Sequence, residues 1–338
     1  MKKILYFPIK LIFTLVPNNL HFLIEKFFNK LRIFSMKYSY KFEKIVNLKI
    51  EHTKFKIFLR KNNIQGHSVY GPMSEKKYIY EIAIITCLKS LLKKKDKVVF
   101  ADLGAFVGYY AIYFAKLFED TKKVYVFESN EDYCDDIYKS MQLNNLKNIK
   151  IFKEILSDKV EDQIFYREFA INKSALDKED FKSEKYYDDL KKFGKIKKTK
   201  TLDSLLNNET EKPNILKVDV HGAEGKIFAG ANNLLANDVE AILLELHSEK
   251  FIKKFSEGHD RVKIILNLIS KGFSCYLINP FRDLDNSGQD EDLLKNSKKL
   301  KWMEISSSNL DSILFGRDKD IFLLCLKKNI DIKSLDCF

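Results

Sequence analysis

The sequence predicts a doubly wound α/β protein with a mostly parallel, Rossmann-like sheet, and three observations carry that prediction. Short, wholly apolar runs recur from residue 98 onward and alternate with amphipathic helical stretches. The first run leads into Asp102-Leu103-Gly104-Ala105-Phe106-Val107-Gly108-Tyr109, a glycine-bearing turn that opens a helix. Carboxylates and imidazoles gather at the ends of later runs, where an open α/β sheet places its crevice. A chain of 338 residues, 45% hydrophobic with 27 Phe and 16 Tyr, has ample material for the large core this fold needs.

Three regions follow from the pattern. In residues 1–45, Leu20, Leu23, Ile24, Phe27, Phe28, Leu31 and Phe34 make a 3-4-3-4 stripe, an amphipathic helix. Pro8, Lys10 and Pro17 interrupt the earlier apolar run, which falls short of the ~20 residues of a spanning helix, and no small-residue cleavage site follows. Residues 46–95 read as a hairpin (46–50 and 55–60) and a helix over 74–94, with Tyr78, Ile82, Ile85, Leu88 and Leu92 on one side. Residues 96–330 form the main domain. Its strands are expected at 98–102, 124–128, 149–155, 215–220, 241–246, 275–278 and 321–326, with helices over 109–118, 131–143 and 260–271. The charged stretch 161–200 has weak periodicity and reads as a solvated insertion.

Charge and cysteine usage narrow the function classes. The formal charge is +12, but only six of the 59 basic residues are Arg. Base-edge and phosphate readers rely on the bidentate fork that Lys lacks, so no nucleic acid is expected as partner. Five scattered Cys without a C-x-x-C pair argue for a reducing, cytoplasmic setting and against a thiolate metal site. The stripe beside Lys2, Lys3, Lys10, Lys26, Lys30 and Arg32 has two readings: it covers the protein's own core, or residues 1–36 hold peripherally to an anionic membrane.

The chemistry-bearing residues lie at strand ends. Gly104 and Gly108 let backbone N–H groups approach an anionic or carboxylate-bearing ligand at a helix N-terminus. Glu128, twenty residues after Gly108 at the end of the second strand, is placed to accept both ribose hydroxyls of a nucleoside. Ser157-Asp158, after the third strand, would meet an adenine edge. The fourth strand ends Lys217-Val218-Asp219-Val220-His221-Gly222-Ala223-Glu224 and the fifth Leu244-Glu245-Leu246-His247. The period of two sets Asp219 with His221 and Glu245 with His247, four polar groups converging if the strands are neighbours. No ligand spacing marks a metal, so none is expected. His21, His52, His67 and His259 lack such company and read as surface or core histidines.

These residues resemble the FkbM-like family of class I S-adenosylmethionine-dependent methyltransferases. The likeness runs from about Leu48 to Lys327 and rests on residues 102–110, Phe127-Glu128, Leu156-Ser157-Asp158, residues 201–206, residues 217–224, Gly230-Ala231 and residues 243–247. It implies S-adenosyl-L-methionine as cofactor, held by Asp102, Gly104, Gly108 and Glu128, with Tyr109, Ser129 and Asp158 beside it. It places Asp219 near the sulfonium and implies seven strands, one of them antiparallel near the carboxyl end. The implied acceptor is a hydroxyl, most plausibly on a sugar of a surface glycan or a related metabolite. His221 stands where the family usually has an acid, and Ser129 where a Pro commonly follows the strand-two Glu.

From the residues themselves, His221 or Asp219 would take the hydroxyl proton, an imidazole being suited to that task at neutral pH. Glu245 and His247 would hold the acceptor or the base. The rival readings are a nicotinamide dehydrogenase, which would want G-x-G-x-x-G, a nucleic-acid methyltransferase, and a binding module without chemistry. Amino-methylating nucleic-acid enzymes commonly carry Asn/Asp-Pro-Pro-aromatic after strand four; Asn279-Pro280-Phe281 follows a later strand and reads as a decoy.

Overall fold

The computed structural model describes residues 40–76, 79–93, 97–118, 122–166, 169–171, 187–278, 300–314 and 319–337. The expected amphipathic helix in residues 1–36 and Asn279-Pro280-Phe281 lie outside them. Among the described residues, no helix is long and apolar enough to cross a membrane.

The described chain opens with strands β1 (Lys44–Ile50) and β2 (Thr53–Leu59), which pair antiparallel with Val46 opposite Ile57. Alternation buries Val46, Leu48 and Ile50 on one face and leaves Ile45, Asn47 and Lys49 exposed on the other. Helices α1 (Ile64–Lys76) and α2 (Ile82–Lys93) follow. Here the structure corrects the expected single helix over 74–94. The chain turns at Glu81, whose φ of 49° cannot continue a right-handed helix, and an earlier helix precedes the break. Pro72 and the Gly and Ser residues within the segment had hidden α1 from the apolar periodicity.

The main unit alternates as predicted: β3 (Val99–Leu103), α3 (Tyr109–Phe118), β4 (Lys123–Phe127), α4 (Glu131–Asn144) and β5 (Ile149–Phe152). Strand β6 (Ile155–Leu156), which the sequence joins to β5, instead leaves the main sheet. It pairs with β9 (Lys195–Lys200), in a smaller sheet completed by β7 (Asp162–Tyr166) and β8 (Phe169–Ile171), with α5 (Tyr187–Phe193) between β8 and β9. The stretch read as a solvated insertion therefore carries strands. The lysines of β9 hide the signal, because its one long apolar side chain, Ile196, points outward.

The chain continues through α6 (Leu202–Leu206), β10 (Ile215–Val218), α7 (Glu224–Ala229), α8 (Asn232–Asn237), β11 (Ala241–Leu246), α9 (Glu249–Phe255) and α10 (Arg261–Ser270). It ends with β12 (Phe273–Ile278), β13 (Trp302–Ile305), α11 (Leu310–Leu314) and β14 (Ile321–Lys327). The main sheet has the order β13-β12-β14-β11-β10-β3-β4-β5, with β3 inside it. Strands β5, β4, β3, β10 and β11 run parallel. Strand β14 runs antiparallel to both β11 and β12, and β13 adds an antiparallel edge, so the sheet has eight strands where seven were expected. One apolar layer packs the hairpin, α2 and α3 on one face, and a second packs α7, α8 and α10 on the other.

Candidate active site

The order of strands reverses between β3 and β10, so the loops after them part and open a crevice at their carboxyl ends. The turn after β3 hangs from the last carbonyl of β4: Gly104 N–H and Ala105 N–H both donate to Phe127 O, at 2.9 and 3.3 Å. Gly104 has φ +79°, and a Cβ there would lie 1.8 Å from Asp219 O, so only glycine lets this turn abut the end of β10. Phe106 (φ 53°) and His221 (φ 49°) hold left-handed backbone at the two loops that flank the crevice. Strain of this kind in bulky residues collects where loops are shaped for ligands.

A cavity of about 460 Å³ fills the crevice, a size suited to a small ligand. Of the residues singled out in the sequence, Gly104, Tyr109, Glu128, Ser129, Asp219, His221 and Glu245 line it, together with His247 and Ser157. Asp102, Gly108 and Asp158 stand back from it. Gly108 packs against Ile137 of α4, and Asp158 accepts a hydrogen bond from Ser157 Oγ at 3.0 Å. Asp102 is 0% exposed within β3, and both its oxygens are buried without a hydrogen bond of ordinary geometry. Burial pushes its pKa up to about 6; Lys217 opposes the rise and Asp219 adds to it.

At one end of the cavity, Glu128 is set by two backbone donors. Its Oε2 accepts from Phe106 N–H and its Oε1 from Asn130 N–H, both at 2.8 Å. Phe106 and Tyr133 meet edge to face at 4.7 Å beside it and offer flat apolar surface.

At the other end, Lys217 is only 4% exposed; its ammonium lies 3.0 Å from Asp219 Oδ2 and over the ring of Tyr110. Burial alone would raise the pKa of Asp219, but Lys217 above all, with His221 and His247, holds it below the usual carboxylate range. The rings of His221 and His247 meet edge to face at 5.0 Å. His247 Nδ1 lies 2.6 Å from Oε1 of Glu224, a fully buried carboxylate at the start of α7. Burial opposes charge on His247, yet Glu224, then Asp219 and Asp320, raise its pKa above the ordinary imidazole value. Burial beside Asp219 and Glu81 drives Glu245 up. Arg261, 2% exposed, donates from Nε to His247 O at 2.6 Å and from Nη2 to Lys319 O at 2.7 Å.

A family model described as "Methyltransferase FkbM domain" matches residues 102–314, well over half of the chain. The chain belongs to the FkbM methyltransferase family. No curated protein matches this family member. Among solved structures it is similar to a precorrin-6y C5,15-methyltransferase from Geobacter metallireducens, at 12% identity over 75% of this chain and 92% of that one, TM-score 0.38. It is also similar to an rRNA methylase from Streptococcus thermophilus (9%, 74% and 98%, TM-score 0.37). A third is fibrillarin from Aeropyrum pernix with natively bound S-adenosyl-L-methionine (11%, 84% and 99%, TM-score 0.36).

As an FkbM methyltransferase the chain is an enzyme that uses S-adenosyl-L-methionine. The residues present fit that group: a glycine turn that a Cβ would block, a cavity-lining carboxylate set by two backbone donors, and an Asp219 oxygen without a hydrogen bond for a cationic ligand. Sequence reasoning passed over three polar members of this FkbM site. Glu81, whose carboxylate accepts from Tyr110 Oη, comes from the break between α1 and α2, 138 residues before Asp219. Asp320 comes from the turn before β14 and accepts from Ser248 N–H at 2.7 Å. Lys217 was visible only as part of a strand; a lysine inside the apolar run of β10 was the available signal.

Proposed function

We propose that this enzyme transfers a methyl group from S-adenosyl-L-methionine to a hydroxyl of a sugar, in a surface glycan or a related metabolite. The observation that carries the reading is that one cavity is lined both by Glu128 with the Gly104 turn and by Asp219, His221, Glu245 and His247. The bound cofactor supplies an electrophilic methyl group on a sulfonium. The glycine turn, Glu128 and the Phe106–Tyr133 surface would hold its nucleoside, while Asp219 in the cavity, with Asp102 buried outside it, would supply negative charge toward its positive end. Holding the acceptor in line with that methyl removes much of the entropic barrier.

The acceptor class is supported by the polar end of the cavity. Asp219 Oδ1 is a buried acceptor without a hydrogen bond, and the outer nitrogen of His247 is a second acceptor when the ring is neutral; sugar hydroxyls provide donors in number. The test incubates the full chain with methyl-labelled S-adenosyl-L-methionine and a panel of methyl glycosides of hexoses, deoxyhexoses and hexosamines. Label in an alkali-stable methyl ether is the expected result. Label in RNA but in none of the glycosides would refute the reading.

A further inference from the structure

The tautomer of His247 follows from its partner. The Glu224 carboxylate can only accept, so Nδ1 of His247 carries the hydrogen and the neutral ring turns a lone pair on Nε2 toward the cavity. Across from it, at 3.7 Å, lies Asp219 Oδ1, a buried oxygen with no hydrogen bond. In the neutral ring two acceptors thus face each other; protonation, which Glu224, Asp219 and Asp320 favour, turns Nε2 into a donor toward Oδ1. A sugar that brings two neighbouring hydroxyls to this gap can donate one to Asp219 Oδ1 and the reacting one to Nε2 of His247.

We propose that His247 is the general base for methyl transfer and that Glu224 is its positioning residue, an inference that rests on the hydroxyl-transfer reading above. The acceptor oxygen forms the new O–CH3 bond as the S–CH3 bond breaks. The sulfur keeps the bonding pair and becomes a neutral thioether, and the hydroxyl proton passes to Nε2 of His247. Glu224 fixes the ring and stabilises the imidazolium that forms, as a buried carboxylate does for a catalytic histidine elsewhere.

The neighbouring candidates serve less well. Asp219 is committed to Lys217 through Oδ2 and has too little proton affinity for a base. His221 packs edge-on against His247 and has no hydrogen-bond partner among the described residues to set its tautomer. The ligand atoms of Asp219, His221 and His247 do lie within 4.8 Å of one another, close enough to hold a divalent ion. Sensitivity to EDTA separates that arrangement from a metal-free base.

The charges around the ring set its titration. They are Asp219 and His221 from the turn after β10, Lys217 within β10 and Glu224 from α7. Glu245 on β11, Lys319 and Asp320 before β14, and Arg261 at the backbone of His247 complete the set. A base must be unprotonated to act, so the rate falls on the acid side as His247 gains its proton.

The experiment measures kcat and KM from pH 5 to 9 on the glycoside panel for wild type, His247→Gln and Glu224→Gln, with S-adenosylhomocysteine affinity by calorimetry as the check on folding. His247→Gln should lower kcat at least a hundredfold with cofactor-product affinity unchanged. Glu224→Gln still accepts from Nδ1–H but carries no charge, so its acid limb should move to lower pH and its plateau should fall; Glu224→Asp should restore part of both. Should His247→Gln fail to fold, ring 15N shifts of wild type and Glu224→Gln decide: Nδ1 protonated throughout, and Nε2 titrating lower in the variant. A His247→Gln enzyme within threefold of wild type, or an unmoved acid limb in Glu224→Gln, overturns the base alone. Activity lost to EDTA and restored by Mg2+ also overturns it, and reassigns the three ligands to a metal. Wild type that methylates no hydroxyl overturns the transfer reading, and the base with it.

Discussion

Gly104 and Asp219 approach so closely that a side chain on the first would collide with the backbone of the second: an added Cβ would lie 1.8 Å from Asp219 O. The contact joins the glycine turn to the loop that carries His221, and it makes the two ends of the cavity a single construction. Gly104→Ala must also hold φ +79°, which costs an L-residue about 1–2 kcal/mol before any collision is counted. The variant should lose at least that much stability and bind S-adenosylhomocysteine at least tenfold more weakly, read by thermal unfolding and calorimetry. Wild-type affinity would mean that the contact does not shape the pocket.

Asp102 should make stability depend on pH in a direction opposite to most carboxylates. Its folded pKa of about 6 lies above the unfolded value near 3.8, so between these values the native state holds the extra proton. Stability from this group is present below pH 4 and is lost as pH rises toward 6. Asp102→Asn should therefore stabilise the ligand-free chain at pH 8, by up to roughly 3 kcal/mol, and leave it nearly unchanged at pH 4. The same variant should weaken the binding of the cationic cofactor. Unfolding curves of both chains at the two pH values measure the first effect, and calorimetry the second.

Glu128 holds two backbone N–H groups while it faces the cavity. Glu128→Ala leaves both donors unsatisfied, at about 1–3 kcal/mol each where water cannot reach them. Glu128→Gln keeps one acceptor and should fold, yet bind S-adenosylhomocysteine about tenfold more weakly. If adenosine affinity is the same in Glu128→Gln and wild type, the residue does not read the ribose.

Asn144 serves the hairpin as a substitute strand. Its Oδ1 accepts from Lys56 N–H at 2.8 Å, and its Nδ2 donates to Lys56 O at 2.7 Å. Ser140 Oγ accepts from Phe58 N–H at 2.9 Å one turn earlier on α4. Asn144→Ala should cost about 1–3 kcal/mol in denaturant unfolding, because it strands a donor and an acceptor of β2 together. Amide exchange at Lys56 should accelerate in the variant.

The parallel part of the fold was legible because its inner strands are almost wholly buried. Runs such as Val99–Leu103 and Ala241–Leu246 leave no solvent side on which polar residues could blur the pattern. The smaller sheet was not legible, since β9 carries four lysines in six residues and its pairing depends on backbone bonds that no side chain announces. At the site, the glycine turn and Glu128 could be read from local spacing. The partnership of Glu224 with His247 could not: the two are 23 residues apart, and only the placement of α7 beneath the end of β11 brings them to 2.6 Å. Glu81 and Asp320 were harder still, each reaching the crevice from an irregular turn with no periodicity to follow.

Arg261 gives one side of the crevice a distinct mechanical character. Its guanidinium, sealed from water, ties the carbonyls of Leu246 and His247 at the end of β11 to that of Lys319 before β14, and its own amide donates to Glu249. Prying those two chain segments apart would expose a buried cation's donors with nothing to replace the carbonyls. This side therefore acts as an anvil, carrying His247 and Asp320 as one piece.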